Sequence, residues 1–247
     1  MRIALISDVH ANLTALEVVL ADVERVRVDQ TVFLGDAIYF GPQPKACLKR
    51  IAELDCLCVM GNADAVCIQY DDLRRGNAPM PKINPETRWT ADQLDPVDFD
   101  FLRRFQATIE VKLGDGHTLL CFHGSPNSNT ERIEATIHDD DLSAKLGGHR
   151  ASVMAGGHTH LSMMRQHRGM LMVNPGSVGM AFERPRSEER DFLLPWAEYG
   201  IVTLQGGVLS VDLRRVPYHV EAVKQAARES QKPGFEHWLN DWVEIES

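Results

Sequence analysis

The chain has 247 residues, 44% of them hydrophobic, enough apolar side chain for a full core and a length that fits one large domain or two small ones. Asp and Glu total 35 against 26 Lys and Arg, and the net charge of −9 argues against a general nucleic-acid binder with its basic face. A nucleotide or another small phosphate ester stays compatible with that charge, because bound cations invert the local field.

No apolar stretch approaches the roughly 20 residues of a membrane span, and the run Ile3–Ile6 is cut off by Asp8, too short for the core of a secretory signal. No membrane partner is expected. Cys56, Cys58 and Cys121 lie in strand-like runs and no C-x-x-C pair occurs, so the cysteines read as reduced thiols of a cytoplasmic protein.

The first third alternates strand and helix. The apolar run Ile3–Ile6 is followed by Leu13, Leu16, Leu20 and Val23 at helical spacing, with Asn12 placed to cap them. A strand over Thr31–Leu34 and a helix begun by Pro42 come next, then a strand over Cys56–Met60. Such an order predicts a parallel sheet joined by right-handed crossovers. Residues 64–106 break the rhythm with short helical pieces punctuated by prolines, a stretch long enough to suggest a cap-like helical insertion or lid.

The remainder is hairpin-rich. Ile109–Leu113 and Thr118–Phe122 flank Gly114-Asp115-Gly116, Leu161–His167 and Met170–Val173 flank Arg168-Gly169, and Gly200–Leu204 and Val208–Arg214 flank Gly206-Gly207. Helices are expected within 219–242, around Val220–Glu229 and Gly234–Trp242. The whole predicts an α/β fold of two packed mixed sheets with helices outside, formed as one domain over 1–247 because distant motifs must meet.

Those motifs follow the apolar runs in one order: Asp8-Val9-His10, Gly35-Asp36, Gly61-Asn62, His123-Gly124 and Gly156-Gly157-His158-Thr159-His160. On an extended strand end, Asp8 and His10 would point to one side and chelate together. Gly35 would let the chain turn so that Asp36 faces inward. Two carboxylates, one carboxamide and four imidazoles exceed the needs of one ion. They suit two ions sharing a carboxylate, with Asp36 the candidate bridge, a device known for displacement at phosphorus. Imidazole and carboxylate without thiolate suit Mn, Fe, Zn, Co or Ni, and Mn is favoured.

The pattern resembles the calcineurin-like metallophosphoesterase superfamily, whose motifs D-x-H, G-D, G-N-H-[DE], H-G and G-H-x-H all occur here in order between Asp8 and about Gly179. Within it the chain resembles a subgroup of small prokaryotic phosphodiesterases. The resemblance implies a four-layer α/β/β/α sandwich. It implies one ion held by Asp8, His10, Asp36 and His160, and a second by Asp36, Asn62, His123 and His158. A hydroxide bridging the two would be the nucleophile on a phosphate ester. Asp36, Asn62 and Asp64 then carry the catalytic roles, with Asp64 orienting a ligand histidine.

The chain departs from the family at Ala63, where a histidine thought to protonate the leaving oxygen is usual. That departure and the subgroup favour diesters. Monoesterase activity, as in protein phosphatases or dinucleoside polyphosphate hydrolases, is the alternative within the same chemistry. A non-catalytic scaffold, as the superfamily's retromer subunit is thought to be, is the rival from another class. Substrate contacts are expected from Asn62, from Gly176 and Ser177 in the loop Asn174–Gly179, and from the guanidinium groups of Arg184 and Arg186.

Overall fold

A computed structural model describes residues 1–76, 81–183 and 191–243. Strands β1 (Arg2–Ile6), β2 (Gln30–Phe33) and β3 (Leu57–Cys58) alternate with helices α1 (Leu13–Val26) and α2 (Pro44–Glu53). Helices α3 (Asn62–Arg75), α4 (Pro85–Asp92) and α5 (Pro96–Leu102) follow. Then come β4 (Thr108–Gly114), β5 (His117–Phe122), α6 (Asp139–Leu146), β6 (Val153–Ala155), β7 (Met163–His167) and β8 (Met170–Asn174). A short ribbon of β9 (Phe182–Glu183) and β10 (Phe192–Leu193) precedes the hairpin of β11 (Trp196–Gln205) and β12 (Val208–Pro217), with α7 (Val220–Ser230) and α8 (His237–Asn240) after it.

Two five-stranded sheets result, ordered β12-β11-β1-β2-β3 and β4-β5-β6-β8-β7. Both are mixed. β1, β2 and β3 run parallel while β11 joins β1 antiparallel. In the second sheet β5, β6 and β8 run parallel between antiparallel partners β4 and β7.

Alternation along the strands decides the layers. Ile3 and Leu5 of β1 join Val32, Val111, Cys121, Val153 and Val173 in a core between the sheets. Ala4 and Ile6 face the other way, into a second core with Leu16 and Val19 of α1 and Leu48 and Ile51 of α2. Under the second sheet, Phe122, Met154 and Met172 pack on Leu142 and Leu146 of α6. This is the α/β/β/α sandwich expected from the sequence.

Several local expectations shift. The side chain of Asn12 accepts the Ala15 N–H and caps α1 as expected. α2 begins at Pro44 rather than Pro42. β3 keeps two residues of the expected Cys56–Met60 strand, although Val59 adds an isolated bridge to Gln106. Helix α6 was not foreseen, and α8 is shorter than 234–242. In the stretch 64–106, Tyr70, Ala91, Phe99 and Leu102 enter the same buried cluster as α1 and α2, so these helices share the outer layer of the first sheet. Among the described residues, no helix is long and apolar enough to cross a membrane.

Candidate metal centre

The parallel strands of both sheets end on one side, and the ligand motifs sit just beyond them. Asp8 and His10 follow β1, Asp36 follows β2 and His123 follows β5. His158 and His160 follow β6, and Asn62 opens α3 directly after β3. The side chains gather into two clusters, Asp8 with His10 and His160, and Asp36 with His123 and His158. Within each cluster the candidate ligand atoms lie within 4.8 Å of one another.

The expected extended Asp8-Val9-His10 does not form. Asp8, His10, Asp36, His158 and His160 all have positive φ, between 45° and 67°. L-residues pay about 1–2 kcal/mol for that conformation, and such strain gathers where a site needs it. Tight turns at the strand ends, rather than strand alternation, aim these side chains inward. Backbone bonds hold the turns: Asp8 N–H donates to Gly35 O at 3.0 Å and His10 N–H to Asp36 O at 2.9 Å. Gly35 itself has φ +101°, as the inward turn at Asp36 required. At Gly61 a Cβ would lie 2.0 Å from Oδ1 of Asp36, so only glycine admits that carboxylate.

Hydrogen bonds fix which ring nitrogens face inward. His10 Nδ1–H donates to Tyr39 O at 3.2 Å, His123 Nδ1–H to Leu34 O at 2.8 Å, and His160 Nδ1–H to Met180 O at 3.0 Å. A carbonyl accepts only, so in the neutral imidazole each Nε2 is left with a bare lone pair, the usual tautomer of a metal-ligating histidine. Yet His10 Nε2 and His160 Nε2 lie 2.9 Å apart. His123 Nε2 likewise faces Asn62 Oδ1 at 3.0 Å. In the neutral rings acceptor faces acceptor, which is repulsive unless a proton or a metal cation sits between or beside them.

Asp8 gives the same signal. It is fully buried; its Oδ2 accepts from Ser7 Oγ–H at 2.6 Å and His158 N–H at 3.0 Å, while its Oδ1 has no hydrogen-bond partner. That orphan lies 3.3 Å from His160 Nε2 and 3.5 Å from His10 Nε2. A buried, unpaired carboxylate oxygen is costly without a cation. Asp36 Oδ1 accepts the Ala63 N–H at 2.9 Å, which leaves Oδ2 between the clusters, 3.4 Å from His123 Nε2 and 3.8 Å from His10 Nε2. The donor set and its unsatisfied lone pairs fit two cations.

The electrostatics agree. Burial raises the Asp8 carboxyl, but His160, with His10 and His123, outweighs it and holds the group well below the usual range. Burial and Asp8 also oppose ionisation of Asp36, and His123 and His10 still bring it below its ordinary value. Burial pulls His123 down, yet Asp36 above all pushes that imidazole up to about 10. The pocket field therefore draws positive charge inward. His158 moves the other way, lowered by burial and by the charge of His123.

Asp64 corrects the sequence reading. Its hydrogen bonds run to backbone, not to an imidazole: Oδ2 accepts Asp36 N–H at 2.8 Å, and Oδ1 accepts Ala37 N–H at 2.9 Å and Ile38 N–H at 3.3 Å. It holds the turn that carries the Asp36 carboxylate. Burial and the negative Asp36 push its carboxyl up to about 7.

Gly176 and Ser177 are corrected too. Ser177 is buried, donates Oγ–H to Asp8 O at 2.8 Å and accepts Met180 N–H at 2.8 Å. The Gly176 N–H donates to Asn174 Oδ1 at 2.9 Å, and a Cβ there would meet Glu198. Val178 and Gly179 N–H donate to Ser7 O and Asp8 O, both at 2.9 Å. The loop clasps the strained Asp8 turn, so its polar groups are already committed and do not face an anion. Arg184 and Arg186 lie outside the described residues.

Two aromatic rings stand beside the imidazoles. Phe40 packs on His10 and Phe182 on His160, each with ring centroids 5.2 Å apart. Phe40 belongs to the aromatic loop Tyr39-Phe40-Gly41-Pro42 just after Asp36, for which the sequence leaves stacking on a base and packing of the first crossover both open. Phe182 is brought in only by the chain's return after β8.

Comparison with known proteins points the same way. Residues 1–192 match the calcineurin-like phosphoesterase superfamily domain. An uncharacterised protein of Methanocaldococcus jannaschii, MJ0912, is 28% identical over 179 residues, which span 71% of this chain and 69% of that one. The crystal structure of a metallophosphoesterase from Sphaerobacter thermophilus superposes with a TM-score of 0.72 at 27% identity, over 98% of each chain. The hypothetical protein PH1004 of Pyrococcus horikoshii OT3 has the same fold, with a TM-score of 0.78 at 16% identity over 100% of this chain and 99% of that one.

Proposed function

The chain belongs to the calcineurin-like phosphoesterase superfamily, and on that premise we propose that it is a binuclear-metal phosphodiesterase acting on a small phosphate ester or nucleotide. One observation carries the reading: the Nε2 lone pairs of His10 and His160 converge to 2.9 Å beside the unpartnered Oδ1 of Asp8.

Asp8, His10 and His160 would hold one ion, and Asn62, His123 and His158 the other, with Asp36 shared. Bound there, two divalent ions, manganese favoured, would supply Lewis acidity to the phosphoryl oxygens and a deprotonated water as nucleophile. The protein's part is to keep the donors fixed. Ser7 Oγ–H and His158 N–H turn Asp8 so that Oδ1 faces inward. Ala63 N–H does the same for Asp36. His158 is the partly exposed member of the two clusters, which supports an approach of the substrate from its side.

The preference for diesters follows from position 63. Ala63 is 4% exposed and belongs to the core under α3, so no side chain there protonates a leaving oxygen or grips a terminal phosphoryl group. A diester carries one less negative charge at phosphorus than a fully ionised monoester, and asks less of the missing group.

Turnover of bis-p-nitrophenyl phosphate with added Mn²⁺ tests the proposal. Wild type is expected to be metal-dependent. Asp36→Asn is expected to lose more than the roughly 10–100-fold typical of changes one shell further out. Tight binding of two ions without metal-dependent turnover of any ester would favour a scaffold of the same fold.

A further inference from the structure

We propose that Phe40 is a specificity-determining residue, whose open ring takes an apolar organic group of the ester while phosphorus lies at the two ligand clusters. That position of phosphorus rests on the hydrolase reading above; the affinity of the ring for an apolar group does not.

The aromatic loop after Asp36 divides its two rings. Tyr39 belongs to the core: it is 7% exposed, packs in the cluster with α1 and α2, and its Oη lies 2.9 Å from Thr87 Oγ1 in a hydrogen bond. Phe40 is 37% exposed. A single exposed apolar side chain is ordinary, but the backbone that presents this one is not. Phe40 has φ +73°. Asn, Asp and His visit that left-handed region; for a bulky residue it is an outlier. Strain of this kind persists only where the surroundings enforce it, and it gathers where ligands are held.

The surroundings enforce it from two sides. Trp238 of α8, itself buried, donates Nε1–H to Phe40 O at 2.9 Å. On the other side, Gln43 N–H donates to Ala11 O at 3.0 Å, and a Cβ at Gly41 would lie 2.0 Å from His10 O. The loop is thus pressed onto the turn that carries His10. The Phe40 ring stands edge-on to Tyr39 at 4.6 Å and tilted by 57° against His10 at 5.2 Å between centroids. One imidazole separates it from the first cluster, so a group esterified to phosphorus there reaches the ring. Covering the open part of the ring with an apolar group takes both surfaces out of water. A strained backbone that keeps a ring out of the core, beside a candidate ligand, is the arrangement such a contact needs.

Titration calorimetry of the Mn²⁺-loaded protein with diphenyl phosphate and dimethyl phosphate tests this. Both anions carry one charge and the same free phosphate oxygens, so attraction to the ions, and any change in metal loading, cancels in the ratio of affinities. Wild type is expected to bind diphenyl phosphate about tenfold or more tightly, the scale of one aromatic stack. Phe40→Asn, which suits the left-handed backbone, should bring the ratio close to one, and Phe40→Tyr, which keeps a ring, should preserve it. A wild-type ratio near one, a ratio unchanged in Phe40→Asn, or no binding of either anion to the loaded protein overturns the proposal. A ratio that behaves as expected without turnover of any ester sinks the hydrolase reading and leaves Phe40 its role in binding. If the protein takes up no metal, the hydrolase reading fails as well, and saturation-transfer NMR with benzyl alcohol decides the ring alone. A wild-type signal lost in Phe40→Asn supports it; no signal, or one that Phe40→Asn leaves unchanged, overturns it.

Discussion

Oδ2 of Asp64 accepts the backbone N–H of Asp36 at 2.8 Å. A buried carboxylate on α3 thus fixes the main chain of the proposed bridging residue, while Ala63, one residue before Asp64, orients the Asp36 side chain through its own N–H. The first turn of α3 sets both the backbone and the carboxylate of Asp36. The G-N-A-D motif works as one clamp.

Asp64→Ala removes the acceptor for the N–H groups of Asp36 and Ala37. A buried donor left unpaired costs about 1–3 kcal/mol. The variant should unfold at lower denaturant, and metal affinity should fall about 10–100-fold, as for other supports of ligand residues. Denaturant titration and metal analysis of the purified protein check both. Unchanged metal affinity would show that the turn holds without Asp64.

The sequence alone suggests that Ala63→His would supply a missing acid and raise monoester turnover relative to diester. The structure changes that expectation. Ala63 is buried in the same cluster as Cys67 and Tyr70. A larger side chain in a packed core costs about 1–3 kcal/mol. The expected result is lower stability and no gain on p-nitrophenyl phosphate. A stable variant with a raised monoester-to-diester ratio would show that the side chain at 63 reaches the open site.

Asp22 of α1 ties the outer helix to the first sheet, accepting Tyr199 Oη–H at 2.6 Å and Arg214 Nε–H at 2.8 Å. Burial raises its carboxyl, but Tyr199, Arg25 and Arg214 outweigh that and bring it to about 2. A folded pKa below the unfolded one stabilises above the unfolded value and is lost as pH falls through the folded value. Wild type should therefore exceed Asp22→Asn by about 2 kcal/mol near pH 6. The gap should close as pH falls from about 4 to about 2. Urea titrations at stepped pH measure it, and a gap that does not depend on pH would refute the assignment.

Much of the candidate site was legible in the sequence because each candidate ligand follows a short apolar run. Leu5-Ile6 before Asp8, Phe33-Leu34 before Asp36 and Cys121-Phe122 before His123 mark buried strands, and buried parallel strands present their next residues at one edge. Position 63 also declared itself, since alanine has no group to offer. The sequence did not show how the donors are aimed. Positive φ at Asp8, His10, Asp36, His158 and His160 leaves no trace in hydropathy, because strain is accepted only where surrounding bonds enforce it. Nor did it show that Asp64 grips backbone, or that Ser177 closes on Asp8 from 169 positions away. The order of residues determined which chemistry the chain can gather. The packing of two sheets decided which atoms meet, because a lone pair's partner depends on distances between segments that the sequence keeps far apart.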